Sequence, residues 1–220
     1  ADAGDRELLS RVVDHYHATQ RESAEAQAYL KARGLEHPEV AEHFQLGLAN
    51  RTLGYKLPQG RVKDGAALRT KLIELGVYRE SGHEHFSGCL VIPLFDAEGQ
   101  VVGLYGRRLE KPNPGMSKHL YLPGPHRGVF NRQGLGGEEV IVCEALIDAL
   151  TFWCAGMRNV TSAYGVEGVT DELVEALVAA GTKRVMIAFD RDEAGDKGAE
   201  KLSVRLAAEG IETFRVLFPR

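Results

Sequence analysis

Four acidic residues stand where buried strands are predicted to end, and they carry the strongest chemical signal in the chain. They are Glu144, Asp148, Asp190 and Asp192. The first follows the apolar run 140–143, and the last two follow the apolar run 185–189. In an open α/β sheet, sites form beyond the carboxyl ends of buried strands, so we expect these carboxylates to lie close together. Because such carboxylates repel one another and a hard divalent cation relieves the repulsion, the pattern predicts a Mg²⁺ (or Mn²⁺) site.

Strands and helices alternate regularly from residue 138 onward and would position these acids. The predicted strands are 140–143, 159–162, 184–189 and 212–218, and the predicted helices are 145–155, 171–180 and 194–209. Alternation of this kind predicts a mostly parallel sheet with flanking helices. The glycine-rich stretch 134–137 marks the joint with what precedes it.

Residues 1–137 are predicted to form a smaller α+β unit. Helices are expected near 5–17 and 65–75, with a second helix opened by a capping box at Thr19 and Glu22 and a third beginning near Pro38. Apolar runs at 89–95 and 101–106 read as the two arms of a hairpin, in which Pro93 favours an edge or a bulge.

The composition is that of an ordinary soluble globular protein. Apolar residues make up 44% and charged residues 26% of the 220 positions, which indicates neither disorder nor a membrane protein. We found no apolar run of membrane-spanning length and no signal peptide, so we expect a cytoplasmic protein. Cys89, Cys143 and Cys154 lack the paired spacing of disulfides or zinc sites and are expected to be reduced thiols.

The net charge of −4 hides a basic segment in the middle of the chain. Between residues 101 and 132 there is a single acid, Glu110, against six basic residues: Arg107, Arg108, Lys111, Lys118, Arg127 and Arg132. Such a run is often only a solvated face. Its position directly before the acids favours a second interpretation, in which it binds phosphate groups.

The acids and their neighbours resemble the TOPRIM domain of bacterial-type primases, topoisomerases and some nucleases. The resemblance is carried by Glu144-Ala-Leu-Ile-Asp148, Asp190-Arg-Asp192 and Ala194-Gly195, and it covers residues 138–220. The variant Glu-Ala-x-x-Asp-Ala-Leu is similar to primase-like TOPRIM proteins of mobile elements, plasmids and phages. The resemblance implies an α/β fold with a metal-binding acidic edge.

The upstream half resembles the RNA polymerase domain, or catalytic core, of DnaG-type DNA primases. The matching stretches are 32–35, 44–47, 91–96, 99–107, 118–123 and 129–130. The resemblance implies a TOPRIM domain at 138–220 preceded by an α+β primase N-terminal subdomain at 1–137. It does not extend to topoisomerases or nucleases, which are not expected to share this half.

This resemblance also implies roles for individual residues. Glu144, Asp190 and Asp192 are expected to be catalytic and, with Asp148, to bind the metal, although Glu144 could instead act as a general base. The expected nucleotide phosphate binders are Arg107, Lys118 and Arg132. The expected nucleic-acid contacts are Arg108, Lys111 and Arg127.

Three departures from the family pattern affect these expectations. The family has arginines before its central strand, where this chain reads Phe86-Ser87-Gly88-Cys89, and it has glycine where this chain has Arg191. It also places further metal-binding acids after the last strand, so we expect a TOPRIM domain truncated at its C-terminal end and weak activity in this segment alone. The family's Cys/His zinc module is not seen, so zinc is not expected here.

The leading hypothesis is a DnaG-like DNA primase core that makes short RNA primers on single-stranded DNA from nucleoside triphosphates. Two alternatives stay open, a TOPRIM nuclease that uses the same metals and a non-catalytic nucleic-acid-binding module. A replicative helicase is a candidate partner, no membrane is involved, and the lack of a coiled-coil pattern favours a monomer. The initiation sequence and the preference for ribo- or deoxyribonucleotides cannot be read from the sequence.

Overall fold

The computed structural model describes residues 3–58, 63–166 and 168–218. The chain divides into two compact units. Unit 1 comprises residues 1–94 and 99–125, and unit 2 comprises residues 95–98 and 126–220. Within the described ranges, no helix is both long and apolar enough to cross a membrane.

Unit 1 begins with a helical layer. Its helices are α1 (Ala3–Glu22), α2 (Ala24–Ala32), α3 (Val40–His43), α4 (Leu53–Lys56) and α5 (Lys63–Glu74). The long helix α1 buries one apolar stripe, made of Leu8, Leu9, Val12, Val13 and Tyr16. This stripe was predicted from its helical spacing, and its burial supplies much of the core of the unit.

The capping box predicted at Thr19 and Glu22 was wrong. Helix α1 continues through Thr19, whose hydroxyl donates to the carbonyl of His15 at 2.9 Å. The N-cap of α2 is Ser23, which has extended backbone angles and accepts from the Ala26 amide at 3.2 Å. An N-cap needs such a non-helical conformation, and the chain leaves the helix only at Ser23.

The sheet of unit 1 has four strands in the order β1-β2-β3-β4. They are β1 (Gly47–Ala49), β2 (Cys89–Phe95), β3 (Val101–Arg108) and β4 (His119–Tyr121). Strand β2 is therefore not an edge strand, contrary to one interpretation of Pro93. The register of β1 reaches only from Cys89 to Val91, so Pro93 lies beyond the last paired residue and costs no hydrogen bond there.

Unit 2 contains a parallel sheet, as the alternation of elements predicted. Its strands are β5 (Glu139–Cys143), β6 (Val160–Ser162), β7 (Arg184–Ala188) and β8 (Glu212–Arg215), in the order β6-β5-β7-β8. Its helices are α6 (Leu146–Cys154), α7 (Asp171–Ala179) and α8 (Glu193–Ala208). Strands β5 and β7 lie at the centre, where they are buried by apolar side chains such as Val140, Val142, Val185 and Ile187.

The segment that links the basic stretch to the first parallel strand packs with unit 2. Val129 and Leu135 belong to the core of unit 2, and the side-chain amide of Asn131 donates from Nδ2 to the carbonyl of Val160 at 2.7 Å. The compact units therefore divide at 125/126, whereas the domain boundary predicted from the resemblance lies at 137/138. That boundary stays a prediction.

Candidate acidic site and basic segments

Adjacent parallel strands bring Glu144 and Asp190 to the same edge of the unit 2 sheet. Cys143 of β5 is paired with Ala188 of β7, so the residues that follow both strands leave the sheet side by side. The Glu144 carboxylate accepts a hydrogen bond from the Asp190 backbone amide at 3.2 Å. The two acids therefore meet at the carboxyl end of the sheet, where the sequence predicted a site.

The environment of Glu144 raises the pKa of its carboxyl group. Burial is the largest cause, the amide of Asp190 opposes it, and the negative charges of Asp190, Asp192 and Asp148 add to it. All four predicted acids are thus close enough to interact electrostatically. A half-buried carboxylate surrounded by like charges is an unfavourable arrangement that a cation would relieve.

Asp192 also has a structural task, because it is the N-cap of α8. Its Oδ1 accepts from the Gly195 amide at 2.7 Å, as an N-cap aspartate should. Gly195 lies so close to the strand end that a Cβ atom would collide with the Asp190 carbonyl. The Ala194-Gly195 pair therefore allows α8 to start directly behind the acids.

Asp148 lies in the first turn of α6 and is half-buried. Its charge adds to burial in raising the pKa of the Cys143 thiol, which places the carboxylate near the end of β5. Cys143 is therefore an uncharged packed thiol.

The donor set fits a hard divalent cation, because carboxylate oxygens are the ligands that Mg²⁺ and Mn²⁺ prefer. Among the described residues, however, no three His, Cys, Asp or Glu side chains are grouped closely enough to hold an ion as they lie. Glu144 and Asp192 each accept from a backbone amide, and Asp190 is exposed. Ion binding would have to draw these side chains together.

Arg215 organises the same edge and was missed by the sequence analysis. Its guanidinium donates to three backbone carbonyls at and just beyond the end of β7 and to one carboxylate of α8: Ile187 at 3.2 Å, Phe189 at 2.7 Å, Asp190 at 2.7 Å and Asp196 at 3.0 Å. Arg191, in the place of the family's glycine, donates instead to the carbonyl of Phe218 at 2.5 Å. A basic residue inside a short apolar strand was the only signal for Arg215.

Arg107, the first predicted phosphate binder, is held by a histidine in unit 1. The guanidinium donates to Nε2 of His119 at 2.8 Å, and because a guanidinium cannot accept, this nitrogen must be unprotonated. The proton of the neutral ring then lies on Nδ1, which donates to the Tyr105 hydroxyl oxygen at 2.8 Å. Burial and then the charges of Arg107, Lys118 and Arg33 lower the pKa of His119 to about 4.

The other basic residues of unit 1 border the same two strands. Arg108 ends β3, and its Nε donates to the carbonyl of Ser117 at 3.0 Å, while Lys111 and Lys118 are exposed. Between Arg108 and Arg127 the chain contains the short strand β4, which is paired antiparallel with β3.

Two further basic candidates lie in unit 2. Arg132 forms an ion pair with Glu172 at 3.1 Å, which occupies part of the guanidinium that was expected to bind phosphate. Arg127 is exposed, and its carbonyl accepts from the Tyr164 hydroxyl at 2.6 Å. The roles predicted for both side chains stay predictions.

The parallel sheet of unit 2, with acids at its carboxyl edge, is the arrangement expected of a TOPRIM domain, and comparison with known proteins supports this class. The profile described as Toprim-like matches residues 141–220. The profile described as DNA primase catalytic core, N-terminal domain, matches residues 14–135, which is more than half of the chain. The chain belongs to the DnaG-type DNA primase catalytic core family.

Individual relatives agree with this assignment. The DNA primase of Aquifex aeolicus is 32% identical over 96% of this chain and 43% of its own length. A crystal structure of the Aquifex aeolicus primase, with its zinc-binding and RNA polymerase domains, matches with a TM-score of 0.80 at 26% identity over 98% of this chain and 55% of that one. A structure of the DnaG primase catalytic domain bound to ssDNA has the same fold, with a TM-score of 0.76 at 23% identity over 98% of this chain and 73% of that one. The chain spans less than half the length of the curated relatives that it matches.

Membership of this family implies dependence on a divalent metal ion in general.

Proposed function

We propose that this chain is the catalytic core of a DnaG-like DNA primase, which synthesises short RNA primers on single-stranded DNA. The observation that carries the proposal is the meeting of Glu144 and Asp190 at one sheet edge, with the charges of Asp148 and Asp192 in reach. The family assignment supports the same reaction, and the related catalytic domain bound to ssDNA supports a single-stranded template.

In this proposal the acids bind Mg²⁺ or Mn²⁺. A bound divalent ion would neutralise the triphosphate and acidify the attacking 3′-hydroxyl. Glu144, Asp190 and Asp192 are the proposed catalytic ligands, with Asp148 as a further ligand. Glu144 alternatively accepts the proton of the 3′-hydroxyl, a role that its raised pKa favours.

The basic residues bind the substrates in this proposal. Arg107 and Lys118 bind nucleotide phosphates, with Arg107 held in orientation by His119. Arg132 is a weaker candidate because it is already paired with Glu172. The proposed contacts with the nucleic-acid backbone are Arg108, Lys111 and Arg127.

The wider setting is proposed on the resemblance alone. The protein would work in the cytoplasm as a monomer, with a replicative helicase as candidate partner. Its Glu-Ala-x-x-Asp-Ala-Leu sequence favours a primase of a plasmid, phage or other mobile element. The order 1–137 for the primase subdomain and 138–220 for the TOPRIM domain is part of the same proposal.

One assay separates this proposal from its two alternatives. Because weak activity is expected of this segment alone, a protein extended past Arg220 is incubated with single-stranded DNA, labelled ribonucleotides and Mn²⁺ or Mg²⁺, with Asp190→Asn as the matched control. Oligoribonucleotides made by the wild type and not by the variant support a primase. Shortened DNA would instead indicate a nuclease, and DNA binding without either product would indicate a non-catalytic module.

A further inference from the structure

Arg191 is a cation placed between two of the acids at the sheet edge of unit 2, and the proposed function does not yet use it. It stands between Asp190 and Asp192, in the turn that joins β7 to α8. Its backbone is not left-handed, so the turn accepts a large side chain here without the strain that would favour glycine. The turn therefore presents a long basic side chain at the acidic edge.

The guanidinium of Arg191 is exposed and is not neutralised by a carboxylate. It donates to the backbone carbonyl of Phe218 at 2.5 Å, and in the described part of the chain this is its one hydrogen bond. The ion pairs formed between described residues do not include it. A neutral carbonyl is a weaker partner for a guanidinium than a charged oxygen, so a phosphate would compete well for the same donors.

Arg191 also leaves the acids unneutralised. Burial and three negative charges raise the pKa of Glu144, and among the causes of this shift only the backbone amide of Asp190 lowers it. The other arginine of this edge, Arg215, is occupied by backbone carbonyls and by Asp196. Arg191 thus keeps donors available beside the acids without cancelling their charge.

The balance of charge at this edge gives such a cation a use. Glu144, Asp148, Asp190 and Asp192 carry four negative charges when ionised, which the two divalent ions of a two-metal site would do no more than cancel. A nucleoside triphosphate brings further negative charges, most of them on its β- and γ-phosphates. A guanidinium beside the ions would stabilise these charges, since it donates two parallel hydrogen bonds to phosphate oxygens.

We propose that Arg191 binds the β- and γ-phosphates of the incoming nucleoside triphosphate and remains bound to the pyrophosphate as it leaves. The inference rests on the proposed function, which supplies the metal ions and the nucleotide. In the transfer step, the 3′-hydroxyl passes its proton to the general base and its oxygen bonds to the α-phosphorus. The bond from that phosphorus to the bridging oxygen breaks, and its electron pair leaves with the pyrophosphate, whose growing charge Arg191 stabilises.

Two substitutions separate the charge of Arg191 from its hydrogen bond to Phe218. Arg191→Gln removes the charge but retains a donor for the Phe218 carbonyl, whereas Arg191→Lys retains the charge and loses the paired donors. Lys197→Gln removes an exposed cation of α8 that lies outside the acidic turn and pairs only with Glu193 among the described residues. It is the matched control.

The measurements use a protein extended past Arg220, as in the primer assay. Binding of the fluorescent nucleotides TNP-ATP and TNP-AMP is followed in Mg²⁺ without DNA, so that no primer can form, and Mn²⁺ binding without nucleotide is followed by electron paramagnetic resonance. Arg191→Gln should weaken TNP-ATP binding about three- to tenfold and leave TNP-AMP binding within about twofold. It should tighten Mn²⁺ binding about twofold, because a repelling charge is gone.

The opposite changes distinguish a phosphate contact from a structural role, because a residue that only shaped the turn would weaken both ligands when it is replaced. Arg191→Lys should recover part of the TNP-ATP affinity that Arg191→Gln loses. Lys197→Gln should leave all three affinities unchanged.

Several results would overturn the inference. If Arg191→Gln binds TNP-ATP as tightly as Lys197→Gln does, the contact does not exist, while Mn²⁺ binding that Asp190→Asn abolishes would leave the primase proposal intact. If Arg191→Gln weakens Mn²⁺ and TNP-ATP together, the residue only shapes the acidic turn, and if it weakens TNP-AMP as much as TNP-ATP, the β- and γ-phosphates are not its partners. A wild-type protein that binds neither Mn²⁺ nor TNP-ATP would overturn both the inference and the proposed site.

Discussion

At the scale of the residue, Glu144 shows how function and stability compete. Its carboxylate is half-buried and lies near three other negative charges, and only the amide of Asp190 among the causes of its pKa shift favours the charged form. The folded protein tolerates this arrangement because the rest of the fold holds the strand ends together. Carboxyl groups whose pKa is raised by burial and by neighbouring negative charges are typical of ligand-binding and catalytic sites.

Glu144→Gln should therefore stabilise the chain in EDTA. The glutamine oxygen can still accept from the Asp190 amide, while one of the repelling charges is removed. Because solvent screens the charge of this partly exposed group, we expect the melting temperature to rise by at most about 2–4 °C, corresponding to at most about 1 kcal/mol for a chain of this size. Primer synthesis should be lost, and a lower melting temperature in EDTA would contradict the repulsion.

His119 should position Arg107 for nucleotide binding. His119→Phe removes the acceptor at Nε2, so the guanidinium loses its orientation and the KM for ribonucleotides should rise about three- to tenfold with less change in kcat. His119→Gln offers an amide oxygen as a substitute acceptor and should recover part of the loss. Equal KM values for the two variants would argue against the positioning role.

The same histidine predicts a pH dependence of folding. Its pKa is about 4 in the folded chain and about 6.5 when unfolded, so between these values the unfolded state binds more protons. The contribution of His119 to stability should therefore fall as the pH is lowered from about 6.5 towards 4 and change no further below that. Urea midpoints measured across this range should show a shallower decline in His119→Phe than in the wild type.

At the scale of the element, the carboxyl end of β7 is secured by a residue from β8. Arg215 donates to the carbonyls of Ile187, Phe189 and Asp190, which orients the backbone that leads into the acidic turn. Carbonyls just beyond the end of a parallel strand can lack a partner in the sheet, as do those of Phe189 and Asp190 within the described ranges apart from Arg215, and a guanidinium can satisfy several of them at once. The last strand of the sheet thus positions the acids that follow its neighbour.

Arg215→Met should destabilise unit 2 by about 1 to 3 kcal/mol, because it leaves the carbonyls of Phe189 and Asp190 without the guanidinium, whereas that of Ile187 still accepts from the amide of Val216. Asp196→Asn serves as the control, since it alters only the fourth bond of the guanidinium and should cost much less. Urea unfolding measures both changes, and the Mn²⁺ affinity of folded protein, followed by electron paramagnetic resonance, should fall only in Arg215→Met. Equal costs for the two variants would contradict the role of the carbonyl bonds.

Elements differ in how well the sequence predicted them. Strands β5 and β7 were clear because strands buried on both faces read as continuous apolar runs. Strands β1 and β4 were missed, because three residues make too short a pattern and their pairing depends on β2 and β3. Short edge strands owe their existence to a partner far away in the chain, which periodicity does not reveal.

At the scale of the whole molecule, the chain divides into two compact units, and the acids and most of the basic segment fall in different ones. The acids were predictable because a strand end and a following helix are local signals. Three other features join residues that are separated in the sequence. Arg132 forms an ion pair with Glu172, Arg107 donates a hydrogen bond to His119, and residues from several segments line a cavity beside Arg51. Such contacts arise from packing and leave no spacing pattern.

The core of unit 2 should be sensitive to cavities. Leu177→Ala removes a fully buried side chain and should cost about 2–5 kcal/mol, whereas Val178→Ala on the same helix alters an exposed side chain and should cost little. Trp153, the single tryptophan of the chain, lies in unit 2 and reports its unfolding by fluorescence. Similar unfolding midpoints for the two variants would show that packing of α7 against this core contributes little to the stability of unit 2.

The three thiols differ in exposure, so that one of them can be labelled selectively with a fluorescent dye. Cys89 and Cys143 are buried, and burial raises the pKa of Cys89 to about 11, whereas Cys154 is half-buried at the end of α6. A maleimide dye should therefore react selectively at Cys154 without any engineered cysteine. Since Asp148 lies in the first turn of the same helix, the fluorescence of a dye at the last residue of that helix should report ion binding by the acids.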